Sequence, residues 1–343
     1  MTIKSVIAAA AVIAGLTLPA TAQMVTPAPQ KVSASGEQSD PLAKAAALYA
    51  TYQGEVTDVK TNGFSSAGDI EDSLNNLGGH NPEQLTQGWM AYSALVAAQN
   101  PEFRAAVLDI EGYYGRDSLM TGMQNDVRYA RTLSGGNEAV NQALTAVNAD
   151  SRRLIGAAAF VKEQAYSLQG AGWAKGRVGN SQAKATSLFA STQSGIPARG
   201  ALVQAMQAPE FNNVLEQAGR SGAPSVWESV SGAASTIRVP AAVANLGQSH
   251  KVARGKEPIA DRITTLAAYR ILNADPSVAG SMRQAMSERE TQGCLNMANL
   301  NLQQCVAAAH KHYEVPFCIG EHGLADIGTI KCALWPKQDF YAL

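Results

Sequence analysis

Apolar residues recur along this chain at helical spacing, interrupted at short intervals by proline, glycine and asparagine. The first clear run opens at Asp40-Pro41, an aspartate suited to an N-cap followed by a proline suited to the first helical position. Leu42, Ala45, Ala46, Tyr49 and Tyr52 then share one face, which predicts a helix to about Lys60, stopped by Thr61-Asn62-Gly63. A short helix is expected from Asp69 to Leu77. Asn81-Pro82 opens a helix reaching Gln99, and Asn100-Pro101 opens another reaching about Ile110. Asp117 is read as the cap of a helix running through Leu133, and Glu138 to about Leu168 as one long helix with Arg152-Arg153 near its middle.

From Gly170 to Gly200 glycine recurs and the pattern loosens, which predicts a connection and helix break. Helix returns at Ala201–Gln207 and restarts at Pro209 up to Gly219, before a glycine- and serine-rich stretch to 257. Arg262 to Asn273 and Pro276 to Tyr313 are strongly helical, the second expected as one helix ended by Pro316. No convincing strand pattern occurs. The predicted class is all-α: an irregular multi-helix fold with a disulfide-stapled C-terminal segment. Its predicted divisions are a helical half over 40–170, a Gly-rich connection over 171–200, and a second helical part over 201–343 whose cap spans 276–343. Leu95–Phe103, Val203–Phe211 and, more loosely, Tyr269–Val278 echo one another as helix, corner and proline-started helix. Their unequal intervals argue against a solenoid and for the common use of proline to begin helices.

The first 39 residues read differently. Lys4, an apolar run from Ser5 to Leu18, and small residues at Ala20 and Ala22 form the pattern of a signal peptide cut after Ala22. That run breaks at Pro19 and is too short to span a bilayer. Residues 23–39 lack periodicity and are expected to be a disordered leader. The expectation is export to a periplasm or beyond, with no membrane span in the mature chain. No Asn-x-Ser/Thr site occurs, which favours a bacterial periplasm over a glycosylating route.

Composition narrows the function classes. Of the 343 residues 46% are hydrophobic but only 6% aromatic, and the formal charge is −1. Near-neutral charge provides no field for nucleic acid or an anionic membrane, so no nucleic-acid partner is expected. The densest basic patch, around His250, Lys251, Arg254, Lys256 and Arg262, is interrupted by Glu257 and Asp261 and reads as a solvated face. No nucleophile elbow and no Cys-x-x-Cys motif is present, and Gly170–Gly176 lacks the Lys-Ser/Thr ending of a phosphate loop. Asp69, Glu71 and Asp72 suit a helix N-terminus, and His80 a surface turn.

Two constellations remain. Trp227-Glu228-Ser229, followed by Gly232-Ala233, resembles the Glu-Ser step of lytic transglycosylases. The resemblance implies wall-glycan cleavage with Glu228 as the catalytic acid, which needs a raised pKa in an apolar cleft. The Gly-Leu-Met-Gln run of that family is replaced here by Ser235-Thr-Ile-Arg-Val-Pro. The second constellation is C-terminal: Cys294, Cys305, Cys318 and Cys332, with His310, His312 and His322 among them. These histidines could serve as metal ligands, but tight ligand pairs are absent, and disulfides are the default for an exported chain, with no cofactor expected. Cys294 and Cys305, on one helix, would sit ~16 Å apart along its axis, too far for a disulfide. A nested pairing, Cys305 with Cys318 and Cys294 with Cys332, is therefore expected, and the local pairing of Cys294 with Cys305 and Cys318 with Cys332 is second.

The functional expectation is an exported, non-enzymatic helical binding or scaffold protein of a bacterial envelope, with an envelope protein or cell-wall component as partner. A wall hydrolase acting through Glu228 and a metal-binding protein are the alternatives. Peptide mapping without reduction is expected to give a linked 294–332 peptide. A linked 294–305 peptide would reverse the pairing.

Overall fold

Proline and a polar cap start the early helices as the sequence predicts. In this computed structural model, which describes residues 40–221, Trp227, Val252, 254–273 and 276–329, α1 spans Pro41–Asn62 and Asp40 accepts the Leu42 N–H at 2.9 Å. Helix α2 (Ala67–Gly78) begins with a reciprocal capping box between Ser66 and Asp69. Hydrogen bonds from the Ser65 hydroxyl and N–H, then from Ser66, hold the Asp69 carboxyl down at about 2, so its acidity belongs to the helix start. Asn81 and Asn100 accept the Gln84 and Phe103 N–H groups at 3.0 and 2.8 Å, starting α3 (Pro82–Ala97) and α4 (Pro101–Tyr114).

Beyond α4 the elements are α5 (Arg116–Asn125), α6 (Tyr129–Thr132), α7 (Gly136–Leu168), α8 (Ser181–Ser194), α9 (Gly200–Gln207) and α10 (Pro209–Ser221). There follow α11 (Glu257–Ile271), α12 (Ala279–Met286), α13 (Arg289–Ala308) and α14 (Glu314–Cys318). A π-helical segment, Ile319–Ala325, and one last turn, Asp326–Gly328, complete the described chain. Among the described residues there is no strand, and Arg177 and Lys311 form an isolated antiparallel bridge. The fold is all-α.

Five expectations need correction. Residues 117–133 are not one helix, because Asp126 turns out of α5 in an extended conformation and its carboxylate accepts the Arg128 N–H at 3.0 Å. Asp117 lies within the first turn of α5, and the N-cap is Gly115. Inside 171–200 lies α8, whose Asn180 cap accepts the Ala183 N–H at 3.1 Å. Its glycines mark the ends of that helix, and glycine frequency alone hid it. Pro276–Tyr313 is also broken: Ser287 is extended and the Glu288 side chain caps α13, while that helix stops at Ala308. Pro316 does not end it. It sits in the first turn of α14, where a missing N–H costs no intrahelical bond.

Helix α3 occupies the centre. Thirteen of its sixteen residues are buried, and α1, α7, α10, α11, α12 and α13 pack on it. A helix apolar on all sides has to be interior. Its first turn also anchors the chain between α8 and α9, since the Gln84 amide accepts the Ile196 N–H and donates to the Ile196 carbonyl, both at 2.9 Å.

The described residues belong to one compact unit, yet the apolar interior falls into two clusters. One gathers the first part of α1, most of α3 and α9 to α12; the other gathers the end of α1, α2, α8, α13 and the π segment. Helices α1 and α7 run through both. Between the clusters those two helices bury polar side chains, among them Gln53, Asn148, Asp150 and Arg153.

The α1–α3 crossing depends on Gly88, where an added Cβ would stand 2.7 Å from the Ala45 carbonyl oxygen and 2.8 Å from Tyr49 Cβ. Gly88→Ala is expected to lower stability, because overpacking of about 1–3 kcal/mol outweighs the ~1 kcal/mol gained in helix propensity. Gly156→Ala on α7, with no heavy atom within 4 Å of the new Cβ, is expected to raise stability by about 0.5–1 kcal/mol. Urea unfolding of both variants checks the pair.

Candidate functional site

Along α7 the buried residues Ala143, Val147, Asp150, Leu154, Ala157 and Val161 follow one stripe at alternating spacings of four and three. A carboxylate thus occupies a position where every neighbour in the stripe is apolar. Its surroundings explain how it is held there. Tyr49 of α1 donates its hydroxyl to Asp150 Oδ2 at 3.1 Å, and the Trp227 indole N–H donates to Oδ1 at 2.6 Å. Tyr49, Tyr92 and Trp227 pack against one another with ring centroids 4.8–5.7 Å apart.

Arg153, one turn along α7, adds positive charge to this centre. Its guanidinium donates to Gln53 Oε1 at 2.6 Å, to the Gln53 carbonyl at 3.0 Å, and to the Thr57 hydroxyl. Burial pushes the Asp150 carboxyl up to about 7, opposed by the Trp227 bond, the Arg153 charge and the Tyr49 bond. The Tyr49 and Tyr92 hydroxyls are raised well above 10 by the same burial. Near neutral pH the Asp150 carboxyl is therefore poised between its two protonation states, and in both it joins α7 to α1 through Tyr49.

Two small cavities lie nearby. One, of about 20 Å³, is lined by Tyr49, Trp89, Ser151 and Thr291, and the Trp89 N–H and Thr291 hydroxyl are buried without hydrogen-bond partners. The other, of about 10 Å³, is bordered by His80, Asn299 and His322. His80 is not a surface residue: it is 4% exposed, pairs with Glu55 at 2.6 Å and meets the Tyr52 ring edge-on. Neither cavity has room for a substrate.

A larger concavity lies at the other end of α7. It measures about 330 Å³ and is lined mainly by apolar groups: Ala165 and Tyr166 of α7, Cys305 and Ala308 of α13, and Phe317 and Cys318 of α14. Local sequence builds it in three steps. The chain leaving α13 bonds to the turn after α7, with Val178 N–H donating to the His310 carbonyl at 3.0 Å and Tyr313 N–H to the Ala174 carbonyl at 3.3 Å. Glu314 Oε2 then accepts the His310 and Lys311 N–H groups at 2.5 and 3.2 Å, turning the chain into α14. The Cys305–Cys318 disulfide, Cα–Cα 5.6 Å, closes the wall. Tyr166 and Phe317 stand on the rim, 63% and 38% exposed, in an edge-to-face pair at 6.3 Å.

The remaining sequence candidates fall as follows. Cys294 is disulfide-bonded, and Cys332, its expected partner, lies outside the described residues, as does Glu228. With Cys305 joined to Cys318, a Cys294–Cys305 bond does not form. His310 and His312 lie beyond the end of α13 and not on a helix. His312 donates its N–H to the Gly176 carbonyl, and His322, on the π segment, pairs with Asp326 at 2.8 Å. Among the described residues no group of three or more His, Cys, Asp or Glu side chains could hold a metal ion, and no helix is long and apolar enough to cross a membrane. No protein-family model matches the chain, and comparison with curated proteins and with solved structures gives no match either.

The pH response of the Asp150 centre has a definite sign. Its folded pKa of about 7 exceeds the ordinary 3.8, so its contribution is fully present below about pH 4 and is lost as pH rises through about 7. The whole loss is on the order of 4 kcal/mol. Asp150→Asn keeps a partner for both Trp227 and Tyr49 without the charge. Its melting temperature is expected to lose the decline that the parent shows between pH 4 and 7. Asp150→Ala, which leaves two buried donors unpaired, is expected to be destabilised by about 1–3 kcal/mol per donor.

Proposed function

We propose that this chain is an exported helical binding or scaffold protein of a bacterial cell envelope, and that the groove walled by Cys305–Cys318 receives an apolar segment of an envelope protein. The observation that carries this reading is the groove itself: an apolar concavity of about 330 Å³ with an exposed aromatic pair on its rim. Its volume lies in the range of ligand-binding clefts, and aromatic side chains dominate the energetics of protein recognition. Export is supported by the N-terminal pattern ending at Ala22 and by four cysteines in a chain without a Cys-x-x-Cys motif, since disulfides persist in oxidising compartments.

The Cys305–Cys318 cross-link lies in the wall of the groove, where it holds that wall in position. Cys305 and Cys318 stand 13 apart in sequence, and closing that loop gives about 3 kcal/mol of chain-entropy stabilisation. That restraint fixes α14 against α13 and so fixes Phe317 on the rim. The preorganised rim reduces the ordering cost of binding.

The purified protein lacking residues 1–22 is expected to retain a specific partner from envelope fractions. Tyr166→Asp and Phe317→Asp, both at exposed positions, should each lose that partner while keeping the parent's circular dichroism. Retention by both variants would remove the groove from the reading. The same protein should leave peptidoglycan intact, whereas clearance abolished by Glu228→Gln would replace the binding reading with the hydrolase.

A further inference from the structure

The hairpin of α4 and α5 projects from the body. From Gly112 to Ser118 seven consecutive residues are exposed, while Phe103 and Val107 on one side and Leu119 and Met123 on the other root the hairpin in the core. At the tip Tyr113 and Tyr114 are 80% and 61% exposed, their rings edge-to-face at 4.7 Å. The turn between the helices is fixed: Gly115 adopts φ 82°, its N–H donates to the Glu111 carbonyl at 2.8 Å, and Arg116 pairs with Glu111 at 2.7 Å. Two large rings are thus held out in water on a rigid support.

Charge decides what such a tip can meet. Residues 108–118 carry three acids, Asp109, Glu111 and Asp117, against one base, Arg116, a net charge of 1 − 3 = −2. Arg116 is engaged with Glu111, which leaves as the unneutralised charges Asp109, one turn before Tyr113 on the same helical face, and Asp117, in the first turn of α5 just past the Gly115 turn. A tyrosine tip flanked by basic residues would suit anionic lipid headgroups; this one repels them. Exposed aromatic faces next to carboxylates instead match a guanidinium, which stacks on a ring and donates two parallel hydrogen bonds to an acid.

We infer that the α4–α5 tip is a docking surface for an arginine-bearing segment of a partner protein, with Tyr113 and Tyr114 as the stacking platform and Asp109 and Asp117 as the acceptors. This surface is built from other helices than the groove of α7, α13 and α14 and does not rest on it.

The test is fluorescence anisotropy with the full chain from residue 23 and a fluorescein-labelled peptide of alternating arginine and glycine. Binding is expected to weaken about tenfold or more in Tyr113→Ala/Tyr114→Ala and to a similar degree in Asp109→Asn/Asp117→Asn. The carboxylate variant should also lose most of the salt dependence. Asp72→Asn/Glu163→Gln, which removes two exposed acids elsewhere, should bind as the parent does. A lysine peptide should bind more weakly and a glutamate peptide not at all. Absence of binding to the parent, equal loss in the control variant, or no loss in the tip variants would overturn the assignment. Tyrosine-dependent binding to phosphatidylcholine vesicles in place of the peptide would overturn it in favour of a membrane contact.

Discussion

The interior position of α3 is the constraint on which the rest of the structure depends. With thirteen of sixteen residues buried, this helix meets water only in its first two turns, at Glu83, Gln84 and Gln87, and six others find their positions against it. The closest of those contacts is with α1, where the backbones approach over Gly88 and Tyr49 lies directly on the crossing. Tyr49 is also the donor to Asp150. The crossing of two helices therefore places the hydroxyl that holds Asp150, and with it ties the position of α7 to α1.

That polar centre separates two apolar clusters which share α1 and α7. Each shared helix has one half in either cluster, so neither cluster is a segment of sequence. Burying Asp150 is unfavourable in isolation, and the cost is offset only when Tyr49, Trp227 and the Arg153 charge all arrive together. Such a requirement penalises any slippage of α7 along α1, which a purely apolar stripe would tolerate. Specific register is thus obtained at some expense in stability near neutral pH.

Much of the helix inventory was legible because caps are local. Asp40-Pro41, Asn81-Pro82 and Asn100-Pro101 place both the acceptor and the missing donor within two residues. Helix α8 was not legible. Only Ala185, Leu188 and Thr192 are buried along it, too few to mark an apolar face in the sequence, and its boundaries are glycine-rich. The break at Ser287-Glu288 was hidden because glutamate is an infrequent cap. At the groove, spacing alone argued for Cys305 facing Cys318, but the rim could not be read, since Tyr166 lies 151 residues before Phe317 in sequence. The centre at Asp150 did leave a mark: a charged residue in an unbroken four-three apolar stripe. Tracing that stripe through Arg152-Arg153 would have found it.

The π segment Ile319–Ala325 has a consequence of a different kind. Its wider turn presents the Gly323 carbonyl to the Tyr52 hydroxyl at 2.9 Å, and Gly320 within it and Gly328 after it sit against α7, where a Cβ would approach within 2.7 to 2.8 Å of Lys162 and Leu154 side-chain carbons. A π turn differs from an α turn by one residue. Removing one residue between 319 and 325 is therefore expected to close the segment to an α-helix, which withdraws the wider turn that brings the Gly323 carbonyl to Tyr52.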